Sequence, residues 1–393
     1  MSEWKKEKLG DYVEVLSGFA FKSKDFTSEG VPVIKIKNIS PPNVSLEDLS
    51  YVPMTIVTQN PRYILSRGDV LIAMTGSHIN QIASVVGRVG RIRYDVLSVL
   101  NQRVGKIVNK DDKKSSLDFV YYYLSQYEVK VELAQKAGGA ANQANISPKD
   151  IKDLMFPCPP VETQHRIATI LSRYESLIEN YQKQIKLLEE AAQRLYKEWF
   201  VDLHFPGHEN VNIIDGVPEG WEKKKVGDLI AKVPRSKQIP TKDYQKEGMI
   251  PIIDQSRDYI AGYTDDIESK VESNEPYIVF GDHTRVLKYV PFAFAKGADG
   301  TQLIMSNNLD LMPQCLLFTS LVNVDLSNYS YARHFKYLKE EEIIVPTSLI
   351  ANVFSKHVAK WYVKIQQNRE QLRLLTEARD RLLPKLMSGE IAI

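Results

Sequence analysis

The feature that most constrains this chain is a long amphipathic stripe that occurs twice. Within residues 161–200, apolar side chains recur at alternating steps of four and three, the period that keeps one side of a helix facing a partner in a coiled coil. These positions are Ile167, Leu171, Tyr174, Ile178, Tyr181, Ile185, Leu188, Ala192, Leu195 and Trp199. The same spacing returns 187 residues later, at Phe354, Val358, Trp361, Ile365, Asn368, Leu372, Leu375, Arg379, Leu382 and Leu386. The sequence therefore predicts two long helices of the same kind.

These two stripes favour a helix pair. The local sequence repeats as well, since QIKLLEEAAQRL at 184–195 matches QLRLLTEARDRL at 371–382. One helix with such a stripe needs a partner, so we expect the two copies to pack against each other rather than each only against its own globular block. Asn368 and Arg379 are polar positions in the stripe, and such residues typically fix register or orientation. The stripe permits both a parallel and an antiparallel pair.

A second repeat stands at the head of two globular blocks. WKKEKLGD at 4–11 matches WEKKKVGD at 221–228, and we expect both tryptophans to pack in the core of their block. The chain then divides into a first block at 1–155, a central helix at 156–205, a second block at 206–345 and a C-terminal helix at 346–393. The expected fold class is α/β (α+β), with two globular domains joined by two long helices.

Each block contains short strand-like runs separated by turns. VPVIKIKNI at 31–39 predicts a half-buried strand in which Lys35 and Lys37 alternate with apolar residues. The run at 116–137 predicts one helix, and Pro384 is expected to end or kink the C-terminal helix. In the second block, four runs predict strands at 249–254, 276–280, 286–295 and 301–305.

Composition narrows the class of protein. The two cysteines, Cys158 and Cys315, stand far apart, which fits a reducing compartment and excludes a disulfide framework or a cysteine zinc site. The amino terminus, MSEWKKEKLG, has no apolar segment of the signal-peptide kind. No apolar run approaches the ~18 residues that a membrane span requires. We therefore expect a cytoplasmic protein without a membrane partner.

Charge gives no simple indication of the partner. The net charge of the whole chain is +2, and residues 201–345 hold 16 basic and 22 acidic residues. If the second block binds DNA, its basic groups must be concentrated on one face.

The motifs of catalysis are missing from the sequence. His204 and His208 are separated by Pro206-Gly207, which breaks any shared helical face, and Asp282-His283 lacks further ligands at metal-site spacing. No Walker A motif, no GxGxxG after a strand and no DPPY- or NPPF-type methyltransferase motif occurs. The sequence predicts no catalytic residue and no metal site.

Several segments together resemble a known family. They are the two WxxxxxGD heads, SGFAFKSKDF at 17–26, the repeated LL(E/T)EA helix and ANQANIS…LMFPCPPVETQHRIATIL at 141–171, which leads from the first block into the central helix. In the second block they are IPIIDQSRDYIAGYT at 250–264, IVFGDHTRVLKYVPFAFAKGADGTQLI at 278–304 and YARHFKYLK at 331–339. Over essentially its full length the chain resembles the specificity subunit of type I restriction–modification systems.

The resemblance implies a division of labour. Two target-recognition domains would each read one half of a split, asymmetric target in double-stranded DNA, and an antiparallel pair of helices would set the spacing. The chain would assemble with two methyltransferase subunits, which bind S-adenosylmethionine, and with two motor-nuclease subunits, which use ATP and Mg²⁺. The chain itself would be non-catalytic and hold no cofactor.

Candidate DNA-binding residues follow from the chemistry of base reading, in which Arg or Lys recognises guanine and Asn or Gln recognises adenine. In the first block they are Phe19, Phe21, Lys22, Lys24, Lys35, Lys37, Asn38, Ser77, His78, Asn80, Gln102, Arg103, Gln143 and Asn145. In the second block they are Gln255, Arg257, His283, Thr284, Arg285, Lys288, Tyr331, Arg333 and His334. Taken singly, each of these residues has an ordinary alternative as a solvated surface group or a hydrogen-bonding core residue.

Two other functions stay open at this point. A coiled-coil scaffold with two folded heads that bind proteins and not DNA would agree with the acidic second block. A standalone methyltransferase or nuclease is a more distant alternative, which the missing motifs oppose.

Overall fold

The computed structural model describes residues 4–76, 86–137, 144–329 and 333–393. The chain forms two compact units: unit 1 comprises Met1–Ile178 and Leu374–Ile393, and unit 2 comprises Glu179–Arg373. Each long helix contributes residues to both units. The two units therefore include the long helices, whereas the division based on sequence placed these helices in separate segments, 156–205 and 346–393.

Unit 1 is a mixed structure of short strands and helices. Its strands are β1 Lys6–Lys8, β2 Val13–Ser17, β3 Val31–Ile34, β4 Ile39–Ser40, β5 Asn43–Val44, β6 Ser50–Val52, β7 Ile64–Leu65, β8 Val70–Ala73, β9 Thr75–Gly76, β10 Val89–Arg91, β11 Ser98–Leu100, β12 Val104–Asn109, β13 Ala144–Asn145 and β14 Met155–Pro157. Its helices are α1 Met54–Gln59, α2 Leu117–Leu124, α3 Tyr127–Lys136, α4 Pro148–Lys152 and the first half of α5 Val161–Tyr196. The end of the last helix, introduced below as α9, also belongs to it.

Unit 2 repeats this mixture. Its strands are β15 Ile213–Ile214, β16 Val217–Pro218, β17 Glu222–Lys225, β18 Ile250–Ile253, β19 Gly262–Thr264, β20 Lys270–Val271, β21 Tyr277–Gly281, β22 Leu287–Val290, β23 Phe294–Lys296, β24 Thr301–Ile304 and β25 Glu342–Val345. Its helices are α6 Val226–Leu229, α7 Gln314–Val322, α8 His334–Glu340 and most of α9 Ser348–Ser388, and α5 ends here in a π-helical turn at Lys197–Val201.

The core of unit 1 lies on both faces of a central sheet. A six-stranded sheet in the order β2-β12-β8-β10-β5-β4 carries β8 near its middle. Val70 and Ile72 of β8 pack against the helices, while Leu71 and Ala73 pack on the opposite side with residues of the second sheet. Successive side chains of a strand point to opposite faces, so a strand covered on both sides is a continuous apolar run. In unit 2, β21 does the same, with Ile278 and Phe280 facing the helices and Val279 facing the second sheet.

Seven strands in two sheets of each unit share one order, which indicates an internal duplication. In unit 1 the second sheet has the order β6-β3-β11-β7, in which β3 and β11 are parallel. In unit 2 the corresponding sheet has the order β19-β18-β23-β20, in which β18 and β23 are parallel. The central sheet β22-β21-β24 of unit 2 corresponds to β10-β8-β12 of unit 1.

This correspondence exposes a further sequence repeat. Phe19 and Ile239 occupy equivalent positions, because the backbone N–H of Phe19 donates to Leu100 and that of Ile239 donates to Lys296. The residues that follow are KDFTSEG at 24–30 and KDYQKEG at 242–248. Each segment includes a short 3₁₀ turn and leads into the first strand of its parallel pair, β3 or β18. The segment was recognised from sequence only in the first block.

The glycine of each WxxxxxGD head has a packing role. β1 pairs with β14 and β17 pairs with β25, so each head is joined to the strand that precedes a long helix. A Cβ on Gly10 would lie 2.7 Å from Cβ of Lys152, and a Cβ on Gly227 would lie 3.1 Å from the carbonyl oxygen of Lys339. The close approach of α4 or α8 explains why both heads carry glycine at this position.

Contacts within unit 2 establish the direction of the helix pair. The side-chain amide of Asn368 donates to Oε1 of Gln184 at 3.1 Å, and the ring of Phe200 lies 5.1 Å from that of Phe354. Residue numbers therefore rise along α5 as they fall along α9, and the pair is antiparallel. The sequence stripe had left this direction open.

None of the stripe positions named from the sequence is exposed, and we call them the seam of the helix pair. The buried ones are Ile167, Leu171, Ile178, Ala192, Trp199, Phe354, Val358, Ile365, Asn368 and Leu386. The half-buried ones are Tyr174, Tyr181, Ile185, Leu188, Leu195, Trp361, Leu372, Leu375, Arg379 and Leu382.

Some local predictions were wrong for identifiable reasons. The strand expected over 31–39 ends at Ile34, and a 3₁₀ turn at Ile36–Asn38 follows, closed by a hydrogen bond from the backbone of Lys35 to the Asn38 side chain. The single helix expected over 116–137 breaks into α2 and α3 at Ser125, whose hydroxyl bonds to the carbonyl of Tyr121.

Other elements differ in extent. The run at 286–295 forms the two strands β22 and β23, and α9 continues past Pro384 to Ser388. Helix α7 was not predicted, because eight of its nine residues are buried and such a helix has no polar face to reveal its period.

Two further observations complete the fold. Among the described residues, no helix is long and apolar enough to cross a membrane. The two cysteines are unpaired and lie in different units: Cys158 is half-buried just before α5, and Cys315 is 4% exposed within α7. Burial raises the pKa of both side chains.

Candidate nucleic-acid interface

In unit 1, polar segments predicted to contact DNA meet at one edge of the sheets. The backbone N–H of Gln102 donates to Phe19 at 2.9 Å, and that of Asn101 donates to Ile34 at 3.1 Å. Strands β3 and β11 are parallel, so the loops that follow them leave the sheet at the same edge. We define edge 1 as residues 18–26, 35–38, 101–103 and 144–145.

Unit 2 has an equivalent edge after β18, β21 and β23. Gln255 is its centre, since its side-chain amide donates to the carbonyl of Asp299 at 2.9 Å and accepts from the backbone of His283 at 3.1 Å. The hydroxyl of Thr284 donates to the carbonyl of Gln255 at 2.6 Å. We define edge 2 as residues 254–257, 281–285, 297–300 and 333–334.

Exposure divides the candidate residues into groups. Nine described candidates are exposed, namely Lys22, Lys24, Lys37, Gln102, Arg103, Arg257, His283, Thr284 and Arg333. Six are half-buried, namely Phe19, Phe21, Lys35, Asn145, Gln255 and Arg285. Ser77, His78, Asn80, Gln143 and Tyr331 lie outside the described residues.

Three candidates are buried and use their polar groups inside the protein. Asn38 accepts from the backbone of Lys35 and donates to the carbonyl of Glu47. Lys288 is 3% exposed and donates to the carbonyl of Asp258, and burial lowers the pKa of its ammonium to about 8. His334 is 4% exposed, and both its ring nitrogens face backbone carbonyl oxygens. We therefore leave these three residues out of the proposed contact surface.

Some half-buried candidates have structural contacts of their own. The ring of Phe19 lies 4.9 Å from that of Phe21 and 5.4 Å from that of Tyr63, which makes an aromatic cluster at edge 1. The guanidinium of Arg285 donates to the carbonyl of Tyr329 at 2.9 Å. Replacing Arg285 would therefore remove an internal hydrogen bond as well as any contact with DNA.

Sequence reasoning missed a group of basic residues beside edge 2. A cavity of about 630 Å³ is lined by Lys232, Arg235, Lys296 and Lys339, and we call it the basic groove. The signal was present as AKVPRSKQ at 231–238, a segment with three cations and no acidic residue. It was overlooked because it precedes KDYQKEG at 242–248, the second copy of the repeat, which was itself not recognised from sequence.

The side chains also bear on metals. Among the residues that the structure describes, no group of three or more His, Cys, Asp and Glu side chains could hold a metal ion. The rings of His204 and His208 lie 5.4 Å apart with their planes inclined by 50°, and the two side chains lie beside Glu198 and Glu209.

Comparison with known proteins defines the class. Residues 1–190 match the family model described as the type I restriction modification DNA specificity domain. The chain therefore carries a domain of the class that gives such systems their DNA specificity. It is 27% identical over 424 residues to the specificity subunit of the type I restriction enzyme MjaIX from Methanocaldococcus jannaschii, covering 100% of this chain and 94% of that protein. The chain therefore matches this DNA specificity domain over residues 1–190 and resembles a type I restriction enzyme specificity subunit over its full length.

The chain is similar to a second relative in sequence and to a solved structure in fold. The chain is 27% identical over 196 residues to the specificity subunit of the enzyme EcoAI from Escherichia coli, which covers 48% of this chain and 31% of that protein. Its fold resembles the S subunit of the type I system from M. genitalium, with a TM-score of 0.64 at 18% identity, over 98% of this chain and 96% of that one. These relatives are named as specificity subunits of restriction enzymes, which agrees with the prediction that this chain is not itself an enzyme.

Proposed function

We propose that this subunit recognises a two-part target in double-stranded DNA, with edge 1 reading one half and edge 2 reading the other. The observation that carries the proposal is the internal duplication. Seven strands of each unit have the same order, and in both units the loops after the two parallel strands carry exposed polar side chains. Duplicated domains of this kind are suited to reading two separate stretches of one duplex.

The chemistry of the edges fits base reading. Gln102 and Arg103 are exposed at edge 1, and Arg257 is exposed at edge 2. An arginine can donate two hydrogen bonds to guanine and a glutamine can bond to adenine in the major groove. Lys22, Lys24 and Lys37 are exposed and would contact phosphates, which position a protein on DNA without reading sequence.

The helix pair has a separate role in this proposal. The antiparallel α5 and α9 would set the distance between the two half-sites. The subunit would recruit two methyltransferase subunits, which supply S-adenosylmethionine and methylate adenine, and two motor-nuclease subunits, which supply ATP hydrolysis with Mg²⁺. This agrees with the name of the MjaIX relative, which is a subunit of a type I restriction enzyme.

The test is to map methylated adenines by long-read sequencing in cells that carry the intact system. Arg103→Ala should relax the sequence preference in one half of the target, and Arg257→Ala should relax it in the other half. Each lost base contact is expected to cost about 1–3 kcal/mol of discrimination. Both side chains are exposed, so the variants should fold normally.

Lys364→Ala is a suitable control, because Lys364 is exposed on α9 and belongs to neither edge. The proposal fails if both arginine variants change the same half-site, or if neither changes the methylated sequence.

A scaffold that binds proteins alone is the alternative, and the acidic balance of residues 201–345 favours it. A gel shift with the purified methyltransferase partner and random-sequence DNA separates the two. A retained, sequence-selected DNA fraction supports the specificity role, and the absence of any shift supports the scaffold.

A further inference from the structure

The basic groove occurs where the two duplicated units differ. In unit 1, β12 is bordered on both sides, by β8 and by β2. In unit 2, the equivalent strand β24 pairs with β21, and on its other side the described residues form only an isolated bridge between Ile230 and Ser306. The segment after Ile230 therefore leaves the sheet where β2 would continue, and Pro234 within it has no N–H to donate.

This departure opens the outer edge of β24. Gln302 and Leu303 of β24 line the groove, and the loop at 231–238 forms its opposite wall. The loop is held at both ends, since Ala231 donates to the carbonyl of Met305 and Ile239 donates to that of Lys296. These two hydrogen bonds therefore fix the ends of the loop that forms one wall of the groove.

Its charge is opposite to that of the surrounding chain. Among the described lining residues, four are basic and none is acidic, although residues 201–345 contain more acidic than basic residues. Lys232 and Arg235 are exposed and form no ion pair with any residue that the structure describes. Lys237, in the same loop, instead lies 2.7 Å from Asp266 and 3.3 Å from Glu268. Two cations of one loop are thus available and the third is neutralised.

The groove also adjoins edge 2. Lys296 ends β23 and is followed directly by the 297–300 segment of edge 2. Lys339 belongs to α8, whose first residue, His334, is fixed to edge 2 by a hydrogen bond from its backbone to Asp282. An anionic strand that lies on edge 2 can therefore continue along these cations.

We propose that the basic groove binds the sugar–phosphate backbone of DNA next to the half-site read by edge 2. The inference rests on the proposed function and adds a sequence-independent contact to it. It also explains how a domain with an acidic balance can hold DNA, because four cations are gathered in one groove beside the reading surface.

The experiment measures DNA binding by the full chain in complex with its methyltransferase partner, over a series of salt concentrations. Each phosphate contact contributes about 0.9 to the slope of the logarithm of affinity against the logarithm of salt concentration. Lys232→Ala and Arg235→Ala should each weaken binding to all sequences and lower this slope by about one. The methylated sequence should not change.

Lys237→Ala is the matched control, since it removes the same charge from the same loop but from a paired cation. It should change the slope less than either test variant. Equal slopes for all three variants and the wild type would overturn the groove proposal while leaving the function intact.

Three other results also overturn the proposal. A changed methylation sequence would make the groove a base reader. If the groove variants no longer bind the methyltransferase subunit but bind DNA as tightly as the wild type, the groove is a site for an acidic protein segment. Absence of DNA binding by the wild-type complex would overturn the proposed function as well as the groove.

Discussion

Asn38 and Lys37 are adjacent in sequence but differ in their exposure to solvent. The side chain of Asn38 is 1% exposed and both ends of its amide are bonded to backbone groups, whereas Lys37 is exposed. A similar contrast holds in unit 2 between buried Lys288 and exposed Arg257. At the scale of single residues, polar groups near the two edges therefore divide into those that hold the loops and those that are free to contact a ligand.

The first prediction concerns this division. Asn38→Ala should lower the free energy of unfolding by about 1–3 kcal/mol, because it removes the hydrogen bonds that the buried Asn38 amide forms with the backbone of Lys35 and Glu47. Lys37→Ala should leave stability unchanged, since exposed positions are usually neutral. Denaturant unfolding of both variants provides the measurement, and equal stability of the two would contradict the assignment of Asn38 as a structural residue.

A second prediction follows from Lys288. Burial lowers its pKa from 10.5 to about 8, against the opposing effect of Asp254 and Asp258. Between these two pKa values the unfolded chain binds the proton more strongly than the folded chain, so the contribution of Lys288 to stability increases as pH rises from 8 towards 10.5. Below pH 8 both states are protonated and the contribution is constant.

The measurement compares wild type with Lys288→Met by denaturant unfolding at pH 7, 8, 9 and 10. The difference in unfolding free energy, wild type minus variant, should grow with pH in the wild type's favour. A flat or falling difference would contradict the lowered pKa.

At the scale of elements, the long helices are attached to their units by specific polar contacts as well as by the apolar seam. In unit 1, Glu175 of α5 is 7% exposed and lies 2.6 Å from the guanidinium of Arg93. The hydroxyl of Tyr121 in α2 donates to the same carboxylate at 3.1 Å. In unit 2, Arg369 of α9 bonds to Glu189 of α5 at 2.8 Å.

Glu175→Gln should therefore destabilise unit 1 by about 2–3 kcal/mol, because it leaves the charge of Arg93 partly buried and without its carboxylate. Glu179→Gln is the matched control one turn further along the helix, where the side chain is exposed. The two variants are compared by their midpoints of urea unfolding, and equal midpoints would mean that the ion pair contributes nothing to stability.

Elements also show what the sequence could and could not predict. The seam of α5 and α9 was predictable because each helix keeps a polar face, so its period is visible. Helix α7 was not, because burial on all sides removes that period. The end of β3 was missed because Lys35 and Lys37 continue the alternation, while the side chain of Asn38 folds the backbone into a turn. The edges depend on strand pairings between distant residues, which local patterns do not encode.

At the scale of the whole molecule, the duplication is the organising feature. Each unit begins with a WxxxxxGD head, continues through a KD(F/Y)xxEG segment and ends in a strand that pairs with the head before a long helix. The two halves differ where β2 of unit 1 has no full counterpart in unit 2. The two units therefore share one arrangement of elements but present different side chains at their surfaces.

The last prediction tests the spacing role of the helices. Seven residues that continue the heptad would be inserted in both helices, after Ile178 in α5 and after Arg373 in α9, where the chain passes from one unit to the other. Seven helical residues add about 10 Å, which corresponds to up to about three base pairs. The two half-sequences should stay the same while the gap between them lengthens.

Long-read methylation mapping gives both quantities at once. An insertion of seven residues in α5 alone is the control, because it shifts the seam of one helix against the other and should reduce activity without defining a new gap. An unchanged gap in the double insertion would mean that the helices do not set the spacing.

The position of the two cysteines has a practical consequence. Cys315 is enclosed in unit 2 and Cys158 is half-buried in unit 1, so each half of the protein holds one thiol. A labelling reagent reaches an enclosed thiolate mainly when the surrounding structure opens, and the rate then reports the free energy of that local opening. Under the proposed function, labelling kinetics with DNA that carries only one half-site would show which unit that half-site stabilises, without any engineered probe.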